Sequence, residues 1–184
     1  MPADYSPVLE FWFGELKPRQ WFAGEAALDE QVRVRFGGQV EAALDGGLED
    51  WAASPRGRLA LILLLDQFPR HVFRGAPRAF AGAARAQALT SEGIAEGMDT
   101  SLSKAERNFF YIPLTHAEDA GLQALGVEKI ADLGDEMALG IARRYRATIE
   151  RFGRFPHRNA VLGRVSSPQE EAFLTARKKR QAAK

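Results

Sequence analysis

At 184 residues and 46% hydrophobic content, the chain can bury roughly 70% of its unfolded surface as one domain, without disulfide or metal staples. It contains no cysteine, which excludes disulfides, thiolate metal sites and cysteine nucleophiles and fits a reducing compartment, the cytoplasm. A net charge of +1 excludes a general attraction to nucleic acid, and the longest apolar run, Leu59 to Leu65, falls far short of the ~20 residues of a membrane span.

Helical signals recur along the whole chain, and no stretch alternates at period 2 between turn residues, so the fold is expected to be all-α. Met1 to Gly14 carries acids and no leading basic cluster, unlike a signal peptide. Ser6 and Pro7 offer N-cap and N1 chemistry to a first short helix that carries Leu9, Phe11, Trp12 and Phe13 and stops at Gly14. Trp21 and Phe22 extend its aromatic cluster, which reads as core because no basic residues are interleaved with it. From about Glu25, Leu28, Val32, Phe36, Val40 and Leu44 recur at every fourth position as one buried stripe. Ser54 and Pro55 open the next helix, whose Leu59 to Leu65 is apolar on every side and belongs at the centre of the fold.

After Pro69 and Gly75, an Ala-rich helix is expected from Pro77 to Gly97. Ser103 and Glu106 form a capping box for a helix carrying Phe109, Phe110 and Ile112, which Pro113 should kink or interrupt. Ile130, Leu133, Met137, Ile141, Tyr145, Thr148 and Phe152 predict one long buried helix ending at Gly153. Ser167, Pro168 and Glu170 begin the last. Roughly seven helices joined by short turns suit antiparallel hairpins, as a stack or bundle, in a single domain over residues 1–184 with a polar tail from about residue 178. Phe68-Pro69-Arg70-His71 faintly echoes Phe155-Pro156-His157-Arg158, each after an apolar helix.

Three polar segments stand out. Asp66 and Gln67 follow seven apolar residues, so the aspartate needs a partner; Arg70 lies one helical turn on, with Arg74 beyond it. A buried ion pair satisfies that need, whereas arginine donors left over would make an anion site. The second segment places Tyr111, His116, Glu118 and Asp119 around Pro113, where ordinary hydrogen-bonded roles compete with proton sharing or a hard metal. The third is Arg151 to Asn159, with Arg154, His157, Arg158 and Asn159 at a helix C-terminus and in a proline-stiffened loop. It lies within Arg143 to Arg164, which holds seven arginines and His157 against one acid, Glu150. Gly37-Gly38 and Gly46-Gly47 follow no strand and lack a phosphate-loop lysine, and no serine has a nucleophile-elbow setting.

The motifs Val8-Leu9-Glu10-Phe11-Trp12-Phe13-Gly14, Leu63 to Arg70 with Phe73-Arg74-Gly75, Tyr111 with Pro113, His116, Glu118 and Asp119, and Arg151 to Asn159 carry a resemblance over nearly the whole chain. It resembles a widespread bacterial family of uncharacterised helical proteins in the tetratricopeptide-like superfamily. The resemblance implies a helical stack of hairpins and brings no activity with it. Three positions depart from the family pattern: His71 replaces a typical asparagine, Ala83 an aspartate and Ala117 a serine.

The function expected from these residues is a binding module for an anionic small molecule or acidic peptide, with no cofactor, metal, nucleic acid or membrane. Arg70, Arg74, Arg154 and Arg158 would supply charge, while Asp66, Gln67, Tyr111, His116, Glu118, His157 and Asn159 would complete the site. The alternatives are a hydrolase or transferase using His116 or His157 as general base beside Asp66 or Glu118, with or without a divalent metal, and a purely structural ion-pair network.

Overall fold

The computed structural model describes residues 4–21 and 24–182, with side chains through Lys179; Phe22 of the expected aromatic cluster lies outside them. The fold is all-α, with no strand among the described residues. Nor is any described helix long and apolar enough to cross a membrane. The chain forms two compact units, Met1–Ala117 and Glu118–Lys184.

In the first unit, α1 (Ser6–Leu9) passes directly into a π-helical turn, Glu10–Glu15. Ser6 is the first helical residue and not the cap: its N–H donates to the Asp4 carboxylate at 2.9 Å. α2 (Ala26–Leu44) buries Leu28, Val32, Phe36 and Val40 of the stripe read from the four-residue repeat, but its last buried residue is Ala43, and Leu44, at the helix end, is only half-buried. α3 (Pro55–Asp66) starts where the Ser54 hydroxyl accepts from the Gly57 N–H, and every residue from Gly57 to Asp66 is buried. It packs against α1, α2, α5 (Ala83–Ala95) and α6 (Lys104–Thr115), which is why it has no polar face. The buried Arg58 donates to the carbonyls of Ala52 and Leu89 and to Glu96. Phe11, Trp12, Phe36, Phe68 and Phe109 form a ring cluster with centroids 5.0 to 6.1 Å apart, three pairs edge to face and two tilted, and ring quadrupoles favour the edge-to-face pairs.

The expected helix from Pro77 to Gly97 is two pieces, a 3-10 turn Pro77–Phe80 and then α5. The break has a packing cause. At Gly82 a Cβ would come within 2.5 Å of the Leu65 carbonyl oxygen, so the chain crosses α3 here at backbone distance. Pro113 does not interrupt α6, which begins in the Ser103–Glu106 capping box and continues to Thr115. α4 (Phe68–Val72) follows α3 after Gln67 alone.

In the second unit, the single long helix expected up to Gly153 is also two: α7 (Ala120–Ala131) and α8 (Glu136–Phe152), packed against each other. Gly134, with φ +62°, turns the chain, and Asp135 caps the Ala138 N–H. The split reassigns the stripe. Leu139, Ala142 and Ile149 are the buried residues of α8, while Met137 is 79% exposed. α8 ends at Gly153, φ +68°, and α9 (Pro168–Ala182) opens with the Ser167–Glu170 box. The two members of the Phe-Pro echo fall one in each unit. In each a buried phenylalanine, Phe68 or Phe155, stands at or just before a short helical turn that carries the proline.

Candidate functional site

The residues singled out by sequence resolve into separate groups, two of which could serve function. In the Met1–Ala117 unit, Asp66 sits at the last turn of α3 with its side chain 1% exposed. Gln67 keeps helical dihedrals between α3 and α4, its N–H donating to the Leu63 carbonyl and its carbonyl accepting from the Arg70 N–H, and so Arg70 stays one turn away. Its Nε donates to the Asp66 carbonyl at 2.9 Å and its Nη2 to the carboxylate at 3.2 Å. Gln67 donates to the same carboxylate at 2.5 Å, and His116 Nδ1, at the C-terminus of α6, stands 2.9 Å from it. Burial by itself would raise the Asp66 carboxyl, but the His116 ring, the Arg70 guanidinium and the Gln67 amide together hold it below the usual carboxylate range. Arg70 also stacks over Phe80, 5.1 Å from the ring centroid. The result is a buried anion joining the ends of α3, α4 and α6.

Arg74 belongs elsewhere. It pairs with Asp29 in the first turn of α2, and His71 Nδ1 lies 2.7 Å from the same carboxylate. Burial pushes His71 below its ordinary pKa, outweighing the pull of Asp29, and Arg74 acts in the same direction as burial. The Asp29 carboxyl is lowered, first by its bonds to Arg74. For His71 the unfolded chain holds its proton more tightly, so the native state is favoured above pH ~6.5 and loses stability as the pH falls through that value. Asp29 contributes fully above pH ~4 and loses its contribution as the pH falls further. Thermal unfolding should therefore show a falling Tm between pH 7 and 5 that is shallower in His71→Asn, whose amide can still donate to Asp29. Superimposable pH profiles for the two proteins would contradict this.

Tyr111 is fully buried, its hydroxyl donating to Asp99 while Arg107 donates to it at 3.2 Å. Burial, then the Asp99 bond, pushes the phenol up to about 12, so it serves as a neutral anchor for α6.

The Glu118–Lys184 unit holds the remaining predicted residues. Glu118 accepts the Phe155 N–H at 2.7 Å and is forked by Arg164 at 2.6 and 3.0 Å. Burial opposes its ionisation, yet Arg164 and the Phe155 amide keep it below the ordinary value. Arg154 forks Glu170 in the capping box of α9, Asn159 donates to Ser166, and the buried Arg158 lies over the Phe155 ring at 4.4 Å. Together they fasten the loop after α8 to the start of α9. His157, by contrast, is exposed and lines an open groove of about 740 Å³ between α8 and α9.

Ile141, Tyr145, Phe152, Phe155 and Phe173 form the apolar lining of that groove, and Arg144, Arg151 and Arg177 join His157 in its walls. Among the described residues, no carboxylate lines it. Among the described residues, none of these three arginines is within salt-bridge distance of an acid, whereas Arg146 and Arg154 are paired with Glu150 and Glu170. Sequence reasoning named Arg151 only as the first residue of its third polar segment, with no role in the site, and missed Arg144 and Arg177. The arginine-rich run from Arg143 to Arg164 pointed at the region, but only the α7–α8 break turns the Ile141–Tyr145–Thr148–Phe152 stripe outward to meet them. Among the described residues, no cluster of three or more acidic or histidine side chains is arranged to hold a metal ion.

Residues 8–178 match the model of a family described as a bacterial protein of unknown function, DUF924. The chain belongs to this family. It is also similar to a solved protein of unknown function, ATU0120 from Agrobacterium tumefaciens, at 38% identity over 92% of this chain and 96% of that one, with a TM-score of 0.87. No curated protein matches the chain.

Proposed function

We propose that this member of the family is a helical binding module whose α8–α9 groove captures an anionic ligand. One observation carries the reading: three arginines and a histidine converge on an apolar cavity that has no acid among its described lining residues. Elsewhere in the chain, Arg70, Arg74, Arg154 and Arg164 each have a carboxylate within hydrogen-bond distance, as charges placed against apolar surface require. Arginine forks left unpaired beside an apolar floor suit a carboxylate or phosphate delivered by a ligand. The volume falls in the range of small-molecule sites, roughly 300–1,000 Å³, which favours a small anion over an acidic peptide. The same reading sets the protein in the cytoplasm, in keeping with a chain free of cysteine.

Titration calorimetry with 2-naphthoate as probe tests the reading. Arg144→Met, Arg151→Met and Arg177→Met should each weaken binding by roughly tenfold, about the loss of one charge-assisted hydrogen bond. Raising the salt concentration should weaken it further, because the groove is open to solvent. Unchanged affinity in the triple variant would remove the groove from consideration.

A second reading is an enzyme using His116 as general base, supported by the buried Asp66 carboxylate 2.9 Å from its Nδ1, a pairing that orients an imidazole. A hydrolase screen in which activity disappears in His116→Gln, at unchanged Tm, would favour it. Loss of Tm without loss of any activity would leave the pair a structural weld.

A further inference from the structure

The groove's lining also bears on what the anion carries. We infer that its ligand is a planar aromatic ring bearing a carboxylate or phosphate, an inference that rests on the groove being the anion site proposed above. Tyr145 and Phe152 stand seven residues apart on α8, two helical turns or about 10 Å along its axis. Both line the cavity, and between them the lining is low, made of Ala147 and Thr148. The Thr148 hydroxyl donates its proton to the Arg144 carbonyl at 2.9 Å, so it has no proton left for a ligand, and its methyl and Ala147 give the slot between the two rings an apolar floor.

The walls around that slot are rings, held edge to face: Phe152 against Phe173 at 5.2 Å and Tyr145 against Phe155 at 5.4 Å, with the His157 ring 5.5 Å from Phe155. Such walls favour another ring over a flexible chain. Aromatic pairs gain beyond their buried area, and a planar ring loses little conformational freedom on binding. The cations are placed to match. Arg144 and Arg151 lie next to Tyr145 and Phe152 respectively, and the Arg151 guanidinium already stacks on Phe152 at 4.7 Å. A ring seated in the slot therefore has a guanidinium at either end for its anionic group. Arg177 reaches the groove from α9, and with His157 it also borders a second cavity of about 540 Å³ whose lining includes Arg164, Lys178, Ser166 and one acid, Glu171. A substituent longer than the slot would pass over these two residues into it.

An aromatic acid and a nucleoside monophosphate share this chemistry, so the test uses both. Calorimetry on the full-length protein compares 2-naphthoate, adenosine monophosphate, octanoate and inorganic phosphate. At least one aromatic anion should bind roughly tenfold more tightly than octanoate and phosphate, by the size of a pair of ring contacts. Tyr145→Leu and Phe152→Leu should each bring the ratio of aromatic-anion to octanoate affinity close to one, whatever they do to octanoate itself. Two variants are used because Phe152 also packs on Phe173, and each is first matched to the parent by Tm. Preference for 2-naphthoate assigns the ligand to the aromatic acids, and preference for the nucleotide to the nucleoside phosphates. Octanoate binding as tightly as either, or ring selectivity that survives both leucine substitutions, overturns the inference and leaves the anion groove standing. Failure of all four probes to bind removes both.

Discussion

Replacing Asp66 by alanine is expected to cost about 3–5 kcal/mol of stability, the loss seen when one member of a buried charged network is removed and its partners remain. Arg70, Gln67 and His116 all converge on this one carboxylate, whose side chain is 1% exposed. Without it the guanidinium keeps the Asp66 backbone carbonyl, the His116 ring 3.1 Å away and the Phe80 ring, but loses the carboxylate that balances its charge. Urea unfolding measures the effect. Adding Arg70→Met to Asp66→Ala should recover part of the loss, because the orphaned charge goes with its partner. A loss below about 1 kcal/mol would show that the cluster does not hold α3, α4 and α6 together.

Gly82→Ala is expected to destabilise by roughly 1–3 kcal/mol, the usual cost of forcing an extra methyl into a packed interior. Backbone conformation is not the obstacle, since φ at Gly82 is −84°. The obstacle is α3 itself: the new methyl would meet the Leu65 carbonyl oxygen at 2.5 Å and its Cα at 2.9 Å, and backbone atoms inside a helix cannot rotate away. Gly38→Ala supplies the opposite sign. Gly38 is exposed in the middle of α2 with nothing within 4 Å of its missing Cβ, so alanine should stabilise by about 0.5–1 kcal/mol through helix propensity. If both substitutions shifted the unfolding midpoint in the same direction, the backbone contact between Gly82 and α3 would be refuted.

These clusters also explain why so much of the site was hard to see. The Asp66–Arg70 pair is local, one turn apart, and could be read from spacing. Its third partner, His116, is 46 residues beyond Arg70; the sequence offered it as one of two histidines that could stand beside Asp66 or Glu118, and spacing could not choose among those pairings. Arg74 was grouped with Arg70 because of their shared run, yet it faces Asp29, 45 positions earlier. No periodicity argument reaches across that separation. Likewise Arg154 and Arg158 looked available for a ligand, whereas Glu170 and the Phe155 ring occupy them. Arg144 and Arg177 had no signal to set them apart from so many other arginines, and Arg151 stood out only as the start of a basic segment.

What the linear chain determined is everything that depends on neighbours within a turn or two. The all-α class, the buried stripe of α2, the wholly buried α3, and the Ser103–Glu106 and Ser167–Glu170 caps all follow from spacings of three and four residues and from local backbone donors. What only the tertiary structure decided is which way an apolar face points and which carboxylate each arginine meets. A glycine with positive φ at residue 134 splits one apparent helix into α7 and α8, and the stripe that periodicity assigned to the core becomes the wall of a groove. Hydrophobic spacing records that a face is apolar. Whether a neighbouring helix or a ligand covers it depends on contacts between residues far apart in the chain.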